Sequence, residues 1–180
     1  MKKYPVFLGL QAEGREWVTM FSTDSVAIFD YVFTDAMTFT DAAGRRNRLW
    51  IKEEAFVDDP QIFMEYLVKQ IETILSNEKI DIYVNPTFLP DTLKSRYNEL
   101  WTPERMERVV VALKENQIAM EINSRLMLPS PEFIKMAKKA GVKFTMGTNN
   151  VTADLGYLEF GMKMINECNL EPKDFWKCKK

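Results

Sequence analysis

The 180-residue chain contains no histidine, the side chain used most often as a metal ligand and as a general acid or base near neutral pH. Zinc sites of the His type, Ser-His-Asp triads and Cys-His dyads are excluded together. What remains for chemistry is a set of carboxylates and amides at the ends of apolar runs: Gln11 and Glu13, Asp35, Asn85, Glu121 with Asn123, and Asn149 with Asn150. Two carboxylates drawn from Glu13, Asp35, Asp41 and Glu121 would serve acid–base chemistry if burial set their pKa values apart. The amides would orient a polar ligand through their paired donors and acceptors. Each position also has an ordinary reading, because Asn, Asp and Gly end strands and make turns. Glu13 in particular lies in a Glu13-Gly14-Arg15-Glu16 turn.

Glu121 interrupts an apolar strand. Alternation puts Ala119, Glu121 and Asn123 on one face and Met120 and Ile122 on the other. A carboxylate on an inward face needs a cationic or hydrogen-bonding partner, and Arg125, Arg45 and Arg46 are candidates. Both a structural ion pair and a ligand contact are open for it. Arg45, Arg46 and Arg48 themselves read either as a solvated turn or as an anion clamp. Trp17, Trp50 and Trp101 lie beside connections, as lids packed over loops or as stacking platforms. The methionines fall mainly at helical core spacing and read as filler. No Gly-x-Gly phosphate loop and no nucleophile-elbow serine occurs.

The elements that would position these residues alternate strand and helix. Strands are expected at Val6–Leu10, Tyr31–Thr34, Ile80–Val84, Ile118–Ile122 and Val142–Met146, with Trp17–Phe21 as a short extra one. Asp59-Pro60, Thr102-Pro103-Glu104 and Ser130-Pro131-Glu132 each pair an N-cap side chain with proline at the first helical position. Gly141 closes the third of these helices. A last helix is expected over about Ala153–Glu167, burying Leu155, Leu158, Phe160, Met162 and Ile165. Asp35–Val57 reads as a long irregular connection of the kind that carries function. Strands apolar on both faces and separated by helices imply a parallel sheet, whose ligands sit beyond the carboxyl ends of the strands.

The length fits one α/β domain over residues 1–180 with a substantial core. A net charge of −2 with dispersed basic residues argues against a nucleic-acid surface. No apolar run has the length of a membrane span. The N-terminal apolar stretch is too short for a signal peptide and reads as a strand that starts at once, so a cytoplasmic location is expected. Cys168 and Cys178 make neither a disulfide framework nor a zinc knuckle. They read as reduced, with a local bridge conceivable on export.

At the strand exits the chain resembles the PHP (polymerase and histidinol phosphatase) family of metal-dependent hydrolases. Ile80–Pro86 is similar to that family's strand ending in His-Pro. Ala119-Met120-Glu121-Ile122-Asn123 followed by Ser130-Pro131 resembles its E-I-N strand and next helix. Lys143–Asn150 resembles its final G-S-D-A-H exit, and Asp154-Leu155-Gly156 fits the segment leading into its closing helix. The resemblance implies a partial (β/α) TIM-like barrel of about five core strands with helices outside. It implies phosphoester hydrolysis with divalent metals, and by the same carry-over the loss of their ligands. Gln11 stands for a Gly-x-Glu carboxylate, Met37 falls near a ligand histidine, Asn85 replaces the histidine before Pro86, Asn149 replaces an aspartate and Val151 a final histidine. The opening His-x-His strand has no counterpart. Neutral amides are poor anchors for a divalent cation, so no resident metal is expected.

The resulting expectation is a polar mouth that takes a small polar or anionic molecule. Glu121, Asp35 and Glu13 are its candidate catalytic groups, and Gln11, Asn85, Asn123, Arg125, Asn149 and Asn150 its ligand contacts. A catalytically silent binding or assembly protein is the alternative. So is a copy of a longer enzyme begun at an internal methionine. A part-barrel would expose a strand edge and an apolar face, so a homo-oligomer, most simply a two-fold dimer, is expected.

Overall fold

The computed structural model describes residues 6–150, 152, 153 and 155–178. The expectations on Met1–Pro5, on Val151 and on Asp154 fall outside them. Five parallel strands form one sheet: β1 (Gly9–Ala12), β2 (Tyr31–Thr34), β5 (Ile82–Tyr83), β6 (Ala119–Asn123) and β7 (Phe144–Gly147). They lie side by side in chain order. The parallel α/β architecture expected from the alternation is the one observed, as an open five-stranded sheet.

Helices α3 (Pro60–Asn77), α5 (Pro103–Glu115) and α6 (Pro131–Ala140) lie in the last three of the four crossovers and pack side by side. Their starts follow from local chemistry. The Asp59 carboxylate accepts from the Gln61 and Ile62 N–H groups, the Thr102 hydroxyl from Arg105 N–H and the Ser130 hydroxyl from Phe133 N–H. Proline follows each cap at a position whose N–H has no helical partner. Gly141 ends α6 in the left-handed region at φ +85. Phe63, Leu67, Ile71 and Leu75 of α3 and Met106, Val109, Val110 and Leu113 of α5 are buried. They meet Met120 and Ile122 of β6 in the main core.

The opposite face of the sheet carries a smaller cluster of Ile82, Val84 and Ala119, with Tyr31, Phe33 and Trp176 against it. No helix covers this face among the described residues. Two-residue alternation therefore sorts each strand into a helix-packed side and a side that opens onto a cavity.

Several expectations are corrected. The first strand is Gly9–Ala12 rather than Val6–Leu10, and Val6, Phe7 and Leu8 are exposed. Trp17–Phe21 is not a strand: α1 (Trp17–Met20) is a single helical turn, followed by α2 (Thr23–Val26), which is capped by Ser22. The tertiary bond from Trp17 Nε1 to Glu78 settles a segment too short for periodicity to decide. The Asp35–Val57 connection holds an antiparallel hairpin, β3 (Thr38–Thr40) with β4 (Arg46–Arg48), and a 3-10 turn at Lys52–Glu54. Between Tyr97–Leu100 (α4) and α5, Trp101 turns inward.

The last helix, α7 (Glu159–Glu167), begins six residues later than Ala153. Gly156 at φ +88 lies in backbone that does not continue into a helix. Leu155, Leu158 and Met162, expected in the core, are exposed, and Gly161 and Met164 face inward instead. A Cβ on Gly161 would stand 2.2 Å from Met146 Cε and 2.7 Å from Ser124 Oγ. Only a residue without one lets α7 approach the ends of β6 and β7.

Candidate functional site

The exits of β2, β5 and β6 bring Asp35, Asn85, Asn123 and Glu121 into one hydrogen-bonded chain. Asn85 Nδ2 donates to Asp35 Oδ2 at 2.9 Å, and Asn123 Nδ2 donates to Asn85 Oδ1 at 2.9 Å. The same Asn123 Nδ2 reaches Glu121 Oε2 at 3.1 Å, and the Asn85 backbone N–H donates to that oxygen at 2.8 Å. All four residues are buried. The amides thus stand between the two carboxylates as donors to both.

Local backbone makes this arrangement. The ladder of β5 ends at Tyr83 because Asn85 turns into the left-handed region at φ 48, which Asn tolerates. Its N–H then points to Glu121. Thr87 is also left-handed, at φ 64, a costly state for a β-branched residue. It is held there by the Tyr97 hydroxyl on its Oγ1 and by Trp101 Nε1 on its carbonyl. Asp35 Oδ1 accepts from the Met37 N–H at 2.9 Å, so both oxygens of this carboxylate are engaged. Asn123 Oδ1 takes the Leu126 N–H and fixes the turn after β6.

Burial pushes the carboxyl groups of Asp35 and Glu121 above their ordinary range, against the lowering effect of the hydrogen bonds they accept. The negative charge of Asp35 adds to the rise at Glu121. The Tyr83 hydroxyl, fully buried beside Asp35, is pushed up as well.

Glu121 differs from Asp35 in having one oxygen to spare. Its Oε1 accepts no hydrogen bond from the described residues and lies against Gly147, where an added Cβ would be 1.6 Å away. The register pairs Glu121 with Thr145 and Asn123 with Gly147, so a side chain at 147 would have to push the carboxylate out of this position. Glu121 there lines a cavity of about 650 Å³ on the open face of the sheet. Gln11, Asn85, Thr145, Thr148, Asn149 and Asn150 supply its polar wall, and Tyr31, Phe33, Val84 and Trp176 much of the apolar remainder.

The sequence-derived candidates divide accordingly. Gln11, Asn85, Glu121, Asn149 and Asn150 line the cavity. Asp35 and Asn123 stand behind it in the network. Glu13 is exposed, accepts from Thr38 Oγ1 at 3.1 Å and does not line it. Arg125 is exposed and donates to the Asn149 carbonyl, so it braces the β7 exit and is not the partner of Glu121. Arg45 pairs with Asp41 and Asp58, Arg46 with Glu16 and Arg48 with Glu54. Of the two kinds of partner expected for Glu121, cationic or hydrogen-bonding, the structure supplies amide and backbone donors, because local strand exits reach it and the candidate arginines are engaged elsewhere.

None of the three tryptophans weighed as lids or as stacking platforms lines the cavity. Trp17 and Trp101 are buried and hydrogen-bonded in the core, and Trp50 is exposed. The aromatics that reach the cavity are Tyr31, Phe33, Trp176 and Phe7. Tyr31 stacks on Phe33 at 5.8 Å and meets Trp176 edge-on at 5.7 Å. Register would have found the first two, since Gly9 pairs with Tyr31 and Gln11 with Phe33. Trp176 arrives through its N–H to the Phe144 carbonyl, a contact that no periodicity encodes.

Both cysteines are free. Among the described residues no three His, Cys, Asp or Glu side chains gather closely enough to hold a metal ion. No helix among them is long and apolar enough to cross a membrane.

No family model matches the chain, and no curated protein matches it. Its structure is similar to that of a histidinol phosphate phosphatase from Lactococcus lactis subsp. lactis, solved with zinc, L-histidinol and phosphate. The TM-score is 0.59 at 15% sequence identity, over 79% of this chain and 58% of that chain. The present chain therefore spans little more than half the length of that phosphatase, and what the two share is a fold.

Proposed function

We propose that the chain is a PHP-like hydrolase relative whose cavity at the strand exits takes a small polar molecule without a resident metal centre. The hydrogen-bonded chain from Asp35 through Asn85 and Asn123 to Glu121 carries this reading. A divalent cation at that place needs several charged or imidazole lone pairs directed at one point. Here the Nδ2 hydrogens of Asn85 and Asn123 occupy the space between the carboxylates, and three of the four carboxylate oxygens already accept hydrogen bonds. The donor set does not fit the zinc of the phosphatase that shares its fold.

Within this reading Glu121 meets the ligand through Oε1. Asp35 is a positioning residue that holds Asn85, and Gln11, Asn149 and Asn150 complete the polar wall. A cavity of about 650 Å³ lies in the range of small-molecule sites. Binding is the primary activity assigned to it, and hydrolysis is the activity of its fold relative.

The test is elemental analysis of protein purified without chelator, together with p-nitrophenyl phosphate hydrolysis with and without added manganese or zinc. Substoichiometric metal and no metal-dependent turnover are expected. Stoichiometric transition metal with metal-dependent turnover lost in Glu121→Gln would overturn the reading.

A further inference from the structure

The charge on the cavity wall is one-sided. Among the described residues that line it, Glu121 is the only carboxylate and none is Lys or Arg. A phosphate or carboxylate ligand would find no compensating cation among these described residues and would face a buried acid at close range. Neutral amides could offer hydrogen bonds to an anion, but they could not offset that repulsion. Arg125, four residues after Glu121, does not line the cavity and donates to the Asn149 carbonyl at 3.1 Å.

Glu121 is 7% exposed, and its Oε2 is saturated by Asn85 N–H and Asn123 Nδ2. Its Oε1 has no hydrogen-bond donor among the described residues. That oxygen opens onto the cavity, where a charged donor on a ligand can reach it. The same cavity presents the rings of Tyr31, Phe33 and Trp176, and aromatic faces attract a desolvated cation. The two features select the same chemistry from different directions.

We propose that the cavity binds an organic cation, an ammonium or amidinium group carried on a compact apolar body. The charged head meets Glu121 Oε1 and the body lies against the aromatic wall. The proposal rests on the small-molecule reading of the cavity and narrows its ligand class, replacing the expected polar or anionic molecule by a cationic one.

The experiment uses the full chain and a matched set of probes: benzylammonium, benzamidinium, benzyl alcohol, benzyl phosphate and zinc chloride, each titrated calorimetrically. The two cations should bind and the alcohol and phosphate should not. Glu121→Gln keeps an oxygen for both donors of the network and removes the charge. It should weaken cation binding about 30-fold or more. Trp176→Leu, distant from the network, should weaken it about 3- to 10-fold.

Tighter binding of benzyl phosphate than of the cations would overturn the cationic assignment and leave the small-molecule site standing. So would cation binding unchanged in both variants. No binding by any organic probe also overturns the assignment. Saturable zinc binding lost in Glu121→Gln would instead overturn the metal-free reading on which the assignment rests.

Discussion

A pair of carboxyl groups separated by two amides makes pH the natural probe of the buried network. Glu121 has an ordinary pKa of 4.5 and Asp35 one of 3.8, and desolvation raises both in the folded protein. Between the ordinary and the raised value the native state binds more protons than the unfolded chain. Stability from these groups is therefore fully present below the ordinary pKa and is lost as pH rises through the raised one. Asn85, Asn123, Thr145 and Gly147 around Glu121 are uncharged, and Asp35 is the charged group that acts on it. The difference in unfolding free energy between wild type and Glu121→Gln, measured by denaturant titration, should thus fall as pH rises from about 4. At neutral pH Glu121→Gln should be at least as stable as wild type. A difference that grows with pH would place Glu121 beside a cation. Gly147→Ala should cost about 1–3 kcal/mol, because its Cβ would displace the Glu121 carboxylate. At this scale the sequence was partly legible. Glu121 was visible because a carboxylate broke an apolar strand. Its partners were not, because hydrogen bonding by Asn85 depends on a left-handed turn that no spacing encodes.

Among the elements, caps and periodicity marked α3, α5 and α6 well, because Asp59, Thr102 and Ser130 satisfy helix N-termini by local contacts alone. The elements that were misplaced are those decided by distant contacts. Trp17 is tied to Glu78, which also holds Arg15 at 2.6 Å, so the short α1 is fixed from the end of α3. The α7 helix is fixed by a close approach to β6 and β7, with Gly161 N–H donating to Ser124 Oγ at 3.0 Å. Its apolar pattern before Glu159 suggested an earlier start that the structure does not take. Gly161→Ala improves intrinsic helix propensity. It should nonetheless destabilise the protein by about 1–3 kcal/mol, since Met146 and Ser124 stand within reach of the new Cβ. Thermal or chemical unfolding reads this directly. A stabilised variant would show that α7 can shift away from the strands at no cost.

At the scale of the molecule, the sheet is bounded by two unlike edges. The β7 edge is touched by the C-terminal segment, where Trp176 N–H donates to the Phe144 carbonyl. The β1 edge has no further strand among the described residues, and Phe7, Leu8, Met20, Phe21 and Ile28 are exposed. An uncovered edge of this kind invites pairing, so sedimentation at micromolar concentration should give a homodimer, and a monodisperse monomer would contradict that expectation. The parallel order of the sheet was legible from alternating strands and helices. Its open cavity face was not, because which face of a sheet remains uncovered depends on packing across the whole chain. We infer that this face holds a small-molecule site and no metal centre. Calorimetric titration of zinc and of manganese into wild type, Asp35→Asn and Glu121→Gln tests it most directly. Wild type should show no saturable binding at micromolar metal and should match both variants. Saturable binding with at least one equivalent, abolished in both variants, would establish a metal centre built on Asp35 and Glu121.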